Sequence, residues 1–199
     1  MLDKTQLKGF TLIELLVVIA ILAVLAVAVV LVLNPAELIK QGRDSTRISD
    51  LAALNSAIAL YVADVRNPTW PGATCYSTAT TSLTGSGVAC GSYISTSTAV
   101  DGTGWVKINL NLISSGSPLS KLPIDPNNNV LGCWGSGGAN TLTCGYIFSA
   151  SSTVGVYEID AAMESAKYGS PTGAANVTAT DNGNNSYEYE VGSNLNLIN

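Results

Sequence analysis

From Phe10 to Leu33 every position is apolar or hydroxyl-bearing except Glu14. An α-helix rising ~1.5 Å per residue would carry such a run across a hydrocarbon core of about 30 Å, so the pattern predicts a membrane-spanning helix. Asn34-Pro35 interrupts it, because proline donates no backbone hydrogen bond and clashes with the preceding turn; a kink or local break is expected there. Helical spacing resumes from about Ala36 to Val65, where Leu51, Leu54, Ile58, Tyr61, Val62 and Val65 form one amphipathic stripe. The stripe predicts a core helix under a sheet. Arg43, Asp44, Arg47 and Asp50 add charge in the half nearer the apolar run, some at spacings that permit intrahelical pairs. Asn67-Pro68-Thr69-Trp70-Pro71-Gly72 ends the helix.

From there to Gly104 the chain is rich in Ser, Thr and Gly with weak periodicity, which predicts a long loop region with room for short strands or turns. Trp105 to Leu110 alternates, with Val106, Ile108 and Leu110 on one side and Trp105, Lys107 and Asn109 on the other, as a strand would. In Leu122-Pro123-Ile124-Asp125-Pro126-Asn127 two prolines stiffen an extended loop, whose expected role is packing and shape. Tyr146 to Ser149 and Val154 to Asp160 predict a hairpin turning over Ala150 to Thr153, and Tyr187 to Val191 a last strand. About three or four antiparallel strands are expected in all. Glu158 and Asp160, two apart on a strand, share one side of it, and a solvated strand face is the expected setting.

Composition narrows the function. Hydrophobic residues are 47% of the 199, a share inflated by the N-terminal run, and the remainder has room for one domain of ordinary size. After residue 66 the only bases are Lys107, Lys121 and Lys167, against Asp101, Asp125, Glu158, Asp160, Glu164, Asp181, Glu188 and Glu190. Nucleic-acid binding is disfavoured, since phosphate affinity needs clustered Lys and Arg. The chain has no His, which removes most general-base and triad arrangements, and no catalytic residue is assigned. Cys75, Cys90, Cys133 and Cys144 all lie beyond the apolar run. Without His or a C-x-x-C motif, zinc is disfavoured. Disulfides are expected, with three connectivities open and the sequence-local pairs Cys75–Cys90 and Cys133–Cys144 preferred.

Met1 to Gly9 carries Lys4 and Lys8 against Asp3, and basic excess on the short flank predicts a cytoplasmic N-terminus with everything after Leu33 outside. A secretory signal peptide also has a basic start and an apolar core. Its candidate small-x-small triplet, Ala26-Val27-Ala28, lies inside the apolar run rather than in a polar region after it. Lys8-Gly9-Phe10-Thr11-Leu12-Ile13-Glu14, followed by the apolar helix, instead resembles the class III signal of type IV pilins and type II secretion pseudopilins. The resemblance implies cleavage between Gly9 and Phe10 by a prepilin peptidase, and N-methylation of Phe10. Glycine, with no Cβ, suits an extended chain in a narrow peptidase site. A carboxylate within a bilayer calls for a partner, and cleavage creates one, the α-amino group of Phe10, cationic at neutral pH. The resemblance implies that Glu14 of an incoming subunit pairs with that amine on a neighbour and sets register; snorkelling of Glu14 to the interface is the alternative.

The family's fold is α+β: a long N-terminal helix, its first half membrane-spanning and its second amphipathic, against a small antiparallel sheet. The implied division is a leader at 1–9, a membrane and filament-core helix at 10–34, its amphipathic continuation at 35–66 and an extracytoplasmic domain at 67–199. Leu122 to Pro126 resembles the L-P-x-D-P loop of major pseudopilins. Expected partners are further copies of the chain in a helical polymer, the peptidase, membrane lipid before assembly, and an inner-membrane platform driven by a separate ATPase. The chain itself carries no Walker motif. No cofactor is expected; calcium is a side reading, because some pseudopilins hold that ion near the end of the sheet and Asp181, Asn182 and Asn184 offer hard oxygens. A plain turn is the preferred reading of those residues, which lack the EF-hand spacing. A pseudopilus subunit is the function implied, with a surface pilus subunit or a membrane-anchored extracellular binding domain as alternatives.

Overall fold

A computed structural model describes residues 9–79, 93–135 and 139–198. The chain forms two compact units, Met1–Leu38 and Ile39–Asn199. In the first, the apolar run is helix α1 (Leu12–Leu33), whose described side chains are all exposed. Its segment Leu12–Val30 has a mean hydropathy of 3.2 and is long and apolar enough to cross a membrane. Ala26-Val27-Ala28 lies within the helix. Asn34 closes α1 in the left-handed conformation, φ 40°, which asparagine tolerates better than most residues. Its carbonyl accepts from the amides of Glu37 and Leu38, and Pro35 opens helix α2 (Pro35–Asp64), where the missing donor costs nothing. Asn34-Pro35 is thus a break between two helices.

In the second unit, α2 buries Asp44, Arg47, Leu51, Leu54, Ala57, Ile58 and Tyr61 at steps of three and four. The sheet it meets is four-stranded, antiparallel and ordered β1 (Thr74–Ser77), β4 (Tyr146–Ala150), β5 (Tyr157–Ala162), β6 (Glu188–Gly192). Strands β2 (Leu131–Gly135) and β3 (Ala139–Thr143) pair separately. The expected hairpin is β4–β5, with Phe148 opposite Ile159, and the expected last strand is β6, with Asp160 opposite Glu190. Side chains alternate across a strand. Tyr146, Phe148, Tyr157, Ile159 and Ala161 therefore join Leu51, Leu54 and Ile58 in one core. Full burial stabilises by about 1.5–3 kcal/mol for each large apolar side chain. The other face carries Ile147, Glu158, Asp160, Glu188 and Glu190. Ile147 clusters there with Ala79 and Ile198, and the preceding residue, Leu197, packs against them.

Three expectations are corrected. Trp105 to Leu110 forms no strand: it is bends and loop leading into a 3-10 turn at Leu110–Leu112, and both sides of the supposed alternation contribute to the core. Trp105 is fully buried, held by its amide on the Ser97 carbonyl and its Nε1 on the Pro123 carbonyl (both 2.9 Å). Glu158 and Asp160 do share a face, but the face is covered: both are 0% exposed. The cover is remote in sequence, for the amides of Leu197 and Ile198 donate to Glu158 Oε2 at 2.6 and 2.8 Å. The loop containing Leu122 to Pro126 provides more than shape, because Asp125 is buried in an ion pair with Arg47.

Candidate functional site

The N-terminal segment is built by Thr11 and Glu14 around the start of α1. Four amides at a helix start lack intrahelical partners. Thr11 Oγ1 accepts the Glu14 amide at 3.3 Å. Glu14 Oε2 in return accepts the Thr11 amide and hydroxyl at 2.9 and 2.8 Å. This capping box gives Glu14 a partner inside its own helix. The T-x-x-E spacing is its known sequence signature, and Thr11 is the functional neighbour that the sequence reading passed over. Phe10 is 92% exposed. A Cβ built at Gly9 would meet nothing within 4 Å, so the fold itself makes no demand for glycine there.

A second polar centre joins distant parts of the larger unit. Arg47, fully buried, donates from Nε and Nη2 to Asp125 at 2.6 and 2.8 Å, from Nη1 to Asp44 at 2.7 Å and from Nη2 to Glu164 at 2.7 Å. Arg43 closes the group on Glu164. Asp44 also accepts the amides of Glu164 and Ser165 at 2.9 and 2.8 Å, next to the short helix α3 (Ala166–Gly169). Burial alone would push Arg47 toward neutrality, but bonds to Asp125 and Glu164 hold it above its ordinary value. Burial likewise raises Glu164, and the hydrogen bonds from Arg43 and Arg47 outweigh it, leaving that carboxyl below the usual range. Of the charges flagged for intrahelical pairing, Asp44 and Arg47 make the pair.

On the covered sheet face four carboxyls crowd together: Glu158 and Asp160 from β5, Glu188 and Glu190 from β6, none more than 2% exposed. Ligand oxygens of Glu158, Asp160 and Glu190 lie within 4.8 Å of one another. Burial, then the charges of the neighbouring carboxyls, raises Asp160 well above the carboxylate range, and burial does the same for Glu188 and Glu190. Among the calcium candidates read from the sequence, Asp181 is half-buried beside this group, whereas Asn182 and Asn184 are exposed. Asp181 accepts the Gly183 amide at 3.1 Å and the Glu190 amide at 2.9 Å, the geometry of a turn tied to β6.

Cys133 and Cys144 form a disulfide linking β2 to the residue after β3. Cys75 is disulfide-bonded as well, and Cys90 lies outside the described residues.

With this geometry in hand, comparison with known proteins singles out the N-terminal segment. Residues 6–30 match the family model of the prokaryotic N-terminal methylation motif. The match marks a type IV pilin-like prepilin leader and helix, the substrate type of prepilin peptidases. No curated protein and no solved structure matches the chain.

Proposed function

We propose that this chain is a structural subunit of a type IV pilin-like filament, in the manner of a type II secretion pseudopilus. The observation that carries the reading is Gly9-Phe10 standing directly before an exposed apolar helix of 22 residues that bears one carboxylate. Such a surface needs lipid or other helices around it. Prepilin peptidase cuts after Gly9 at the cytoplasmic face, Phe10 is methylated, and the domain beyond the membrane stays outside. A platform powered by a separate ATPase then draws subunits from the bilayer, and α1 exchanges lipid for neighbouring α1 helices. Head-to-tail contacts of this kind make open helical polymers.

Glu14 sets the register. Both Thr11 donors survive leader removal, so the capping box keeps the carboxylate satisfied in the unassembled subunit. In the filament core an incoming Glu14 meets the Phe10 amine of a neighbour, and a mismatch would bury an uncompensated charge at a cost of several kcal/mol. The Leu122 to Pro126 string favours the pseudopilus over a surface pilus, which would use the same N-terminal chemistry. The test is to produce the full chain together with a pilin-type assembly system and image sheared filaments by electron microscopy. Wild type should form filaments. Glu14→Leu should be processed normally yet fall at least ~10-fold in polymer, the effect of about 1.4 kcal/mol per subunit contact. Filaments at wild-type yield from Glu14→Leu would remove the registry role.

A further inference from the structure

We propose that the covered face of β5 and β6 is a calcium site, with Glu158, Asp160 and Glu190 as ligands and Glu188 as the adjoining carboxylate. The site stands on oxygens that have no partner. Asp160 is fully buried, and neither of its oxygens has a hydrogen-bond partner among the described residues; Oε1 of Glu158, Glu188 and Glu190 is likewise unpartnered. A buried polar atom left unsatisfied is costly, and more so when it is charged, so five together point to a missing partner. No Lys or Arg pairs with any of the four among the described residues, whose ion pairs gather instead at Arg43 and Arg47.

The other oxygen of each Glu is held from outside. Glu158 Oε2 takes the amides of Leu197 and Ile198, Glu190 Oε2 the Asn185 amide at 3.2 Å, and Glu188 Oε2 the Asn185 side-chain amide at 2.9 Å. Outer bonds that orient inner oxygens are what metal sites use to fix their ligands. Gly183 allows this approach, since a Cβ there would collide with Glu190 Oε2. A surface cleft lined by Thr180, Asp181 and Glu190 reaches the β6 side of the group.

The ligand set selects the ion. All donors are carboxylate oxygens, hard ligands that suit calcium or magnesium rather than zinc or copper. Calcium takes 6–8 oxygens at about 2.3–2.6 Å, so oxygens on opposite sides of one ion stand up to about 5 Å apart. The three ligand oxygens all lie within 4.8 Å of one another, inside that diameter. Magnesium keeps several waters and uses one or two carboxylates, a poor match for a dry group of four. These ligands are strand carboxylates, not the exposed Asn182 and Asn184. The rival is neutralisation by protons, with one proton shared between Glu158 and Glu190.

The experiment is calcium titration of the full chain in detergent micelles near neutral pH, by calorimetry and thermal unfolding, starting from chelator-treated protein. One calcium should bind per chain and raise Tm by roughly 5–10 °C at a concentration about 100 times Kd, with magnesium at least ~10-fold weaker. Asp160→Asn and Glu190→Gln remove buried charge, so both should unfold in chelator at a temperature no lower than wild type. Each should weaken calcium binding by at least about 100-fold, since outer partners alone contribute 10–100-fold. Absence of binding to wild type, or an undiminished calcium shift in Asp160→Asn, would overturn the site and leave the carboxyls protonated. Equal affinity for magnesium would overturn the choice of calcium.

Discussion

Arg47 is the residue on which the larger unit most depends for polar order. It sits at zero exposure among three carboxylates drawn from α2, from the loop before β2 and from the turn after β5. A buried ion pair adds little over a well-shaped apolar core, but removing one partner strands the rest, at about 3–5 kcal/mol. Arg47→Met should therefore lower unfolding free energy by roughly that amount, read by chemical denaturation of the full chain in micelles. Loss of less than about 1 kcal/mol, the range of an exposed pair, would show that the group is solvated in practice. The same centre gives a pH dependence. Glu164 has a folded pKa below its ordinary 4.5, so its contribution is complete above that value and fades as pH falls through the folded pKa. The stability gap between wild type and Glu164→Gln should accordingly narrow below pH 4.5. A gap that widens on acidification would reverse the assigned sign.

At the scale of elements, the two long helices have opposite relations to their surroundings. Leu54 of α2 is fully buried in the core, whereas Leu25 of α1 is 55% exposed. Leu54→Ala should cost the folded domain about 2–5 kcal/mol, from lost transfer energy and a residual cavity. Leu25→Ala should leave unfolding of the domain unchanged within about 0.5 kcal/mol. Equal effects in a denaturant titration would contradict this division of labour. These helices were legible in the sequence because their signals are local: an unbroken apolar run, a stripe at helical spacing, a proline between them. The β4–β5 hairpin and β6 were legible through short β-rich runs. Trp105 to Leu110 misled because its alternation reflects contacts with remote loops, such as Trp105 Nε1 on Pro123, rather than a sheet neighbour. The β2–β3 pair, shifted in register at two points, offers no clean period to read. Period two does say that Glu158 and Asp160 share a side. What covers that side arrives with Leu197 and Ile198 some 40 residues later, and carboxylates are ordinarily assigned to water.

For the whole molecule, the N-terminal segment and the globular unit carry different kinds of information. Gly9 and Phe10 are ordinary in the fold: one has free space around it and the other is exposed. A short string can be matched to a processing signal without reference to the fold, whereas the burial of the acidic face depends on segments remote in sequence. The central claim, that the chain is a filament subunit entering through the prepilin route, is tested most directly by one measurement. That measurement is the intact mass of the protein extracted from membranes, made with and without a prepilin peptidase, for wild type and Gly9→Leu. The account predicts peptidase-dependent loss of Met1 to Gly9 with one added methyl group on Phe10, and an uncut chain for Gly9→Leu. An intact leader in the presence of active peptidase, or cleavage near Ala28 instead, would contradict it.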